Sequence, residues 1–504
     1  MSAEQVQARP GAYADSVTLM QVSARAQAVS GVRAAMVAMA TELNLALLGD
    51  LGMTAPPGLS QHDLLVAISA DDAESLGVAL DVVDAALAGR SSAGEQPAGQ
   101  AMAPRTTSAA ISRSGPGIAL ISVPGQHAFA EAMDALGRGC DVMIFSDNVP
   151  VAQEVALKEV AAERGLLVMG PDCGTAIVAG VGLGFANSVR MGPVGVVAAS
   201  GTGAQQFTCL LDAAGTGCSA VLGLGGRDLS AAVGGRSART ALAALDADPA
   251  TEFIVLLSKP PAEHVAAELR EYAAALTKPV TFALIGTGQP DLTTAAEAVL
   301  RSMGRPVPPW PHWAPDGRTG WSGGAGRLRG LFSGGTLCDE AMVIAAERLG
   351  PIYSNVSLDP ALSLEPFTSH TNAHIMIDFG ADELTVGRPH PMIDQRLRLD
   401  YFAAEAADRA TAVIMLDVVL GYGSHRDPAA EIAPGIAAAT SARDIDVVVS
   451  LIGTDADPQG LAAQARALSQ AGAHVFASNA QAARFACDLL TARQADDAPG
   501  SDTP

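Results

Sequence analysis

Apolar residues along this chain fall into short uninterrupted runs, separated by alanine-rich stretches with helical spacing. Runs at Ile118–Val123, Val142–Phe145, Leu166–Met169, Val194–Ala198, Ala220–Leu224, Phe253–Leu257 and Val280–Ile285 predict strands. A second series follows at Arg329–Phe332, His374–Asp378, Ala412–Val419 and Val447–Ile452. Strands that are apolar throughout are buried on both faces, as in a parallel sheet covered by helices. Ala128–Arg138 and Val151–Arg164 predict two of those helices. The alternation predicts an α/β fold with doubly wound sheets, whose ligands bind at the carboxyl ends of strands.

Two stretches interrupt the pattern. Residues 89–117 are rich in Ala, Ser, Gly and Pro, and residues 304–327 crowd together prolines, glycines and all three tryptophans. The residues from 493 onward read as a polar tail. A weak internal repeat spans the remainder. Ser200-Gly201-Thr202, Gly223–Gly226, Phe253–Lys259 and Ala283–Gly288 recur in order as Ser333–Thr336, Ile377–Gly380, Val413–Gly423 and Ser450–Thr454. The expected organisation is an N-terminal α/β domain over 1–190 with a flexible insert at 89–117, then two domains of one fold at 191–303 and 328–492.

Charge narrows the function. The 504 residues carry 31 Lys and Arg against 53 Asp and Glu, a net charge of −22. Only Lys158, Lys259 and Lys278 are lysines. Such a chain repels nucleic acid and anionic membranes, so neither is expected as a partner. No apolar run reaches membrane-spanning length, and the six cysteines form no CxxC pair. A cytoplasmic protein with reduced thiols and no metal site is expected. Any anionic substrate must then be held by backbone N–H groups, helix N-termini and a few cations.

The loops after the strands supply such groups. Ser200, Gly201, Thr202 and Gly203 form a Ser-Gly-Thr-Gly turn between a strand and a helix, the geometry of an anion nest. It is neither a GxGxxG fingerprint nor a Walker loop. Ser333, Gly334, Gly335 and Thr336 repeat it, so two helix N-termini are expected to converge on one phosphate or acyl phosphate. Gly225 and Gly226 lie in a second glycine-rich loop, followed by Arg227, an oxyanion clamp, while Lys259 is placed to neutralise phosphate. In VGRPHPMID, Arg388, His390 and Asp394 sit around two prolines, with His390 expected as general acid or base and Asp394 as its orienting partner. Cys173, in GPDCGT, reads as a buried small thiol rather than a nucleophile.

These loops carry a resemblance. From Ile118 to about Lys259, with VMGPDCGT, VVAASGTGAQ and GLGGRDLS, the chain resembles the α subunit of succinyl-CoA synthetase. From Leu331 to about Thr454, with FSGGT, IDFG and IMLDVVLGYG, it resembles the C-terminal ligase domain of the β subunit. Both on one chain is the pattern of the FdrA family of acyl-CoA synthetase-like proteins. The resemblance implies a Rossmann-like CoA-binding-type domain followed by two flavodoxin-like ligase domains. It also implies a subunit of an oxamate carbamoyltransferase in ureide (allantoin) catabolism, converting oxalurate and phosphate to oxamate and carbamoyl phosphate. Phosphate then enters as co-substrate, CoA stays a candidate ligand, and other subunits or further copies of the chain are expected partners.

The departures matter equally. The loop where the synthetase carries its phosphohistidine reads GTGQPDL, VTLMQVSARAQA stands where a glycine-rich CoA turn is expected, and there is no ATP-grasp domain. An acyl-CoA synthetase completed by a separate ATP-binding subunit is the second expectation, and a non-catalytic scaffold or sensor subunit the third.

Overall fold

The computed structural model describes residues 3–10, 12, 14, 16–60, 63–91, 104–315, 326–357, 359–364, 373–385 and 388–496. Backbone contacts divide the chain into two compact units, residues 1–110 with 385–394 and residues 111–384 with 395–504.

In the first unit Leu64–Ala70 is the central strand of a three-stranded antiparallel sheet, between Ala3–Arg9 and Val32–Met39. Strand alternation sends Leu64, Val66 and Ile68 to a core shared with Leu19, Val22, Ala79 and Val83, from the helices Ser16–Gln27 and Ala73–Ser91. Leu65 and Ala67 face Leu48 and Met53, in and just after the helix Glu42–Asp50. The α/β class is as expected, but a single Rossmann-like domain over 1–190 is corrected here. Residues 3–70 build an antiparallel sheet, and the parallel pattern begins only at Ile118.

The larger unit opens with a small parallel sheet of Ile118–Ile121, Asp141–Ile144 and Val168–Met169. A six-stranded sheet follows in the order Val280–Leu284, Phe253–Ser258, Met191–Ala199, Cys218–Gly223, Thr175–Val178, Val181–Gly184. Its first four strands are mutually parallel, and the last two form an antiparallel hairpin. The seven-stranded sheet contains, in order, Asp446–Ile452, Thr411–Val419, Arg327–Phe332 and His374–Asp378. Both sheets therefore share one nucleus with the order fourth, third, first, second, so the repeat legible in the loops is a repeat of topology. First and third strands lie side by side while their connections leave in opposite directions, which opens a crevice at their carboxyl ends.

The proline-rich stretch at 304–327 is docked in its first part. His312–Trp313 pairs antiparallel with Ala473–Phe476, and the buried Trp310 donates from Nε1 to Glu297 at 3.0 Å. Among the described residues no helix is long and apolar enough to cross a membrane.

Candidate functional site

The two Ser-Gly-Thr turns meet. Ser200 is the N-cap of the helix Gly201–Ala213, its Oγ accepting from Gly203 N at 3.1 Å. The helix Gly335–Leu349 starts from the second turn, with extended Gly334 as its cap residue. Across the junction Ser200 Oγ and Thr336 Oγ1 share a hydrogen bond of 2.6 Å. Glycine is required at this junction. A Cβ on Gly334 would stand 2.7 Å from Thr202 Oγ1, and one on Gly203 2.8 Å from Thr336 Cγ2. Buried polar contacts lock the two repeats around this point. Gln206 Nε2 donates to Ala477 O and Asn479 N to Gln206 Oε1, while Asn187, just before the first repeat, donates from Nδ2 to Asp457.

Lys259 comes from the first repeat yet serves the second. Its Nζ lies 3.5 Å from Asp339 and 2.8 Å from the point a Gly335 Cβ would occupy, and Asp378 Oδ2 is 2.5 Å from that same point. Burial works against the Lys259 charge, but Asp339 and Asp378 outweigh it and raise its pKa. Asp378, 5% exposed at the end of its strand, is pushed up to about 7, chiefly by desolvation. Burial raises Asp339 too, against the pull of Lys259. Asp172 and Asp382 keep solvent contact and are raised by desolvation first, then by neighbouring carboxylates that include Asp147. One ammonium thus stands among carboxyls, some of them protonated near neutral pH.

Because the folded-state pKa of Asp378 lies above its unfolded value, its neutral form favours the fold. That contribution is complete below about pH 4 and is lost as pH rises through about 7. Asp378→Asn is therefore expected to flatten the fall in melting temperature between those limits, gaining on the order of 1 kcal/mol above pH 7. Parallel melting curves for variant and parent would count against this assignment.

Arg227 is held from behind. Its Nη2 donates to Val149 O at 2.9 Å and lies 3.0 Å from Glu154 Oε2. Glu154 and Asp228 both meet the buried Lys158 Nζ at 2.8 Å, and Leu224 O accepts from the same ammonium at 3.1 Å. Gly225, with positive φ, packs on Pro171 O, whereas Gly226 has open space where its Cβ would be. Cys173 is buried and its thiol is pushed up to about 12 by desolvation, as the inert reading requires.

Several expectations change. Ser333 N and Gly334 N do not face an open nest, because Asp417 fills it. Oδ1 accepts from Ser333 N at 2.7 Å and from Ser333 Oγ at 2.9 Å, and Oδ2 accepts from Gly334 N at 2.8 Å. The buried Arg398 donates to Asp417 Oδ1 at 2.6 Å. Arg388, His390 and Asp394 belong to the unit formed with residues 1–110, not to the one that carries the turns. Met392 N donates to His390 Nδ1 at 3.2 Å, and Asp394 N donates to His390 O at 3.1 Å. Asp378, Asp339, Asp417 and Lys158 were not singled out from sequence. The available signal was a charged residue inside an apolar run, which must be partnered when buried.

The comparisons agree with this architecture. Residues 331–489 match the CoA-ligase family model, and residues 1–104 match the model described as AllF, heavy metal-associated domain. The Escherichia coli K12 protein YahF, itself uncharacterized, is 37% identical over 514 residues, covering 96% of this chain and 98% of YahF. The mitochondrial succinate–CoA ligase subunit alpha-2 of Trichomonas vaginalis is 29% identical over 154 residues, 30% of this chain and 48% of that subunit. The corresponding α subunit of Methanothermobacter thermautotrophicus is 29% identical over 178 residues, 34% of this chain and 58% of its own. The matches thus span about half the length of these ligase subunits. An acetyl-coenzyme A synthetase from Ca. Korarchaeum cryptofilum, solved with phosphate and ADP, aligns over 79% of this chain and 89% of its own. Its identity is 15% and its TM-score 0.30, a likeness too loose to bear on function.

The heavy metal that the AllF match names meets few of its usual ligand types in residues 1–104. Residues 1–104 contain no cysteine and one histidine, His62, which lies outside the described residues. Among the described residues no group of three His, Cys, Asp or Glu is placed to hold a metal, and residues 1–104 supply no thiolate for one. At the start of the helix Gly125–Gly137, a Cβ on Gly125 would collide with the Asp147 carbonyl oxygen. That glycine lets the chain approach itself closely at this turn.

Proposed function

The chain belongs to the acyl-CoA synthetase-like family, and from that premise we propose that it is a subunit of a carbamoyl or acyl transferase working through an acyl phosphate. The reaction we assign is that of the FdrA-type oxamate carbamoyltransferase, oxalurate and phosphate giving oxamate and carbamoyl phosphate. The observation that carries this reading is the Ser200–Thr336 hydrogen bond joining two helix N-termini beside Lys259. A helix N-terminus favours an anion, and a neighbouring ammonium strengthens that preference. The match of residues 1–104 to the AllF domain supports a place in ureide catabolism.

Phosphorolysis then proceeds without ATP. A phosphate oxygen bonds to the carbamoyl carbon, the bond from that carbon to the amide nitrogen breaks, and the proton of hydrogen phosphate passes to the departing nitrogen. Asp378, neutral in part near pH 7, is the group we assign to that proton transfer. Arg227 steadies the substrate carboxylate, and the first-turn amides with Lys259 hold the phosphate. Cytoplasmic location and partner subunits belong to the same proposal.

The test uses the complex captured from its host through this chain. Phosphate-dependent oxalurate cleavage without ATP, with carbamoyl phosphate identified by ³¹P NMR, is the expected result. CoA-dependent ATP hydrolysis with no oxalurate cleavage would transfer the chain to the synthetase reading.

A further inference from the structure

We propose that Glu340 is a positioning residue: from the second turn of its helix it grips the start of the helix Leu292–Ser302, and so holds the Thr336 hydroxyl against Ser200 and residues 286–291 beside Lys259. The role rests on the phosphorolysis proposed above. It deepens that reading by naming the group that aligns the two turns and shapes the pH dependence of the reaction.

Thr336 and Glu340 stand four residues apart, on one face of the helix Gly335–Leu349. Both reach the first repeat. Thr336 Oγ1 meets Ser200 Oγ at 2.6 Å, and Glu340 Oε1 accepts from Leu292 N at 2.6 Å. Asp291 caps Thr294 N, which leaves the first amide of that helix to Glu340. Glu340 Oε2 accepts from Asn479 Nδ2 at 2.8 Å, and Asn479 is itself fixed by Leu337 O and Ser450 Oγ. The contact at Glu340, a turn beyond Thr336, sets a tilt that the Ser200 contact alone leaves open. It also anchors a loop of the crevice. The chain leaves the strand Val280–Leu284 through Ile285, whose N donates to Ser258 O, the neighbour of Lys259. Residues 287–290 are exposed, and the chain is caught again at Leu292.

Glu340 is 2% exposed. Burial pushes its pKa up to about 7 and Asp291 raises it further, while bonds from Asn479 and Leu292 N and the charge of Arg484 pull it down. Asp291 and Arg484 are the charged groups that face it from the helices packed on it, among the described residues. Both carboxylate oxygens already accept N–H bonds, so a proton on either one opposes a donor. The grip is complete above about pH 7 and loosens below it. Proton transfer by Asp378 makes the opposite demand, since it needs the neutral acid. Turnover should then fall on the acid side through Glu340 and on the alkaline side through Asp378.

Steady-state phosphorolysis by the complex captured through each variant chain tests this, together with amide hydrogen exchange of the full chain. Glu340→Ala is expected to lower kcat at least tenfold and to keep KM for phosphate within a few-fold of the parent. Alignment is lost there, while the first-turn amides and Lys259 remain. Glu340→Gln keeps an oxygen for Leu292 N and has no proton to take up. Its kcat is expected within a few-fold of the parent above about pH 7, without the parent's acid-side fall. Exchange at Leu292 N is expected to quicken at least tenfold in Glu340→Ala and to stay near the parent in Glu340→Gln. Folded Glu340→Ala with the parent's kcat, or folded Glu340→Gln with the parent's acid limb, overturns the proposal. If Glu340→Ala does not fold, the pH profile of Glu340→Gln decides alone. The two readings separate. Faster exchange at Leu292 in Glu340→Ala, in a complex that performs no phosphorolysis, removes the reaction and leaves the grip. Phosphorolysis with parental exchange in Glu340→Ala removes the grip and leaves the reaction.

Discussion

Lys259→Met is expected to weaken phosphate binding by roughly 10- to 100-fold and to lower kcat/KM by at least as much. The size follows from losing a hydrogen bond to a charged group, worth about 1.5–3 kcal/mol. It follows also from what stays behind. Lys259 lies between Asp339 and the buried Asp378, and Asp172 and Asp382 also feel its charge. Without the ammonium an arriving phosphate still meets the first-turn amides, but the neighbouring carboxyls are no longer balanced. Asp378 and Asp339 then hold their protons to still higher pH, so residual activity should show a pH profile displaced toward alkali. Lys259→Arg restores the charge without the point geometry, and a partial return of affinity is expected. A melting temperature near that of the parent is also expected, since the Lys259 side chain is 37% exposed. Phosphate affinity unchanged in Lys259→Met would remove the residue from the site.

Much of this arrangement was legible in the order of residues, and the remainder was hidden for physical reasons. Runs such as FIVLLS and DVVVSLI are strands because both faces are buried, and that pattern needs no partner to be recognised. The antiparallel sheet of the first unit was not foreseen. One of its strands, VRAAMVAM, is as rich in alanine as the helices around it, and its alternation is weak. Likewise His312–Trp313 is a strand only because Ala473–Phe476 offers it an edge.

The site divides along the same line. That both Ser-Gly-Thr turns stand between strand and helix could be read from glycine spacing, and their convergence followed once the repeat was recognised. That the second turn is filled by Asp417 could not be read, because it depends on register between strands remote in sequence. Asp417 meets that turn only because it stands one step beyond the Leu331–Leu416 pair of neighbouring strands. The acidity of the chain also gains a local meaning. A net charge of −22 is compatible with the proposed anion binding because the amide donors at the crevice are neutral and carboxyls such as Asp378 give up their charge through burial.

The largest effect on stability is expected from Lys158→Met. In sequence Lys158 and Glu154 look like an exposed pair one helical turn apart, worth a few tenths of a kcal/mol. In the structure both side chains are fully buried, and Lys158 also meets Asp228 and Leu224 O. Asp228 in turn accepts from Ser237 N and Ala238 N at the start of the helix Arg236–Ala247. The ammonium therefore ties the helix Val151–Glu163 to a loop and a helix of the first repeat. Replacing it leaves two buried carboxylates with only Arg227 and amide donors to face them. Breaking a buried pair from one side costs about 3–5 kcal/mol, because the stranded charge is the penalty. Denaturant unfolding followed by a probe in the larger unit should register a loss of that order. Adding Glu154→Gln and Asp228→Asn to Lys158→Met removes the stranded charges and keeps the helix cap, so most of the loss should return. Recovery in the triple variant without recovery of turnover would separate the two duties of this network. It would show that neutral packing suffices to join the layers, while the Glu154 carboxylate is needed to hold Arg227 at the crevice. If Lys158→Met unfolds within about 1 kcal/mol of the parent, the cluster is as weak as a surface pair, and Arg227 owes its place to Val149 O alone.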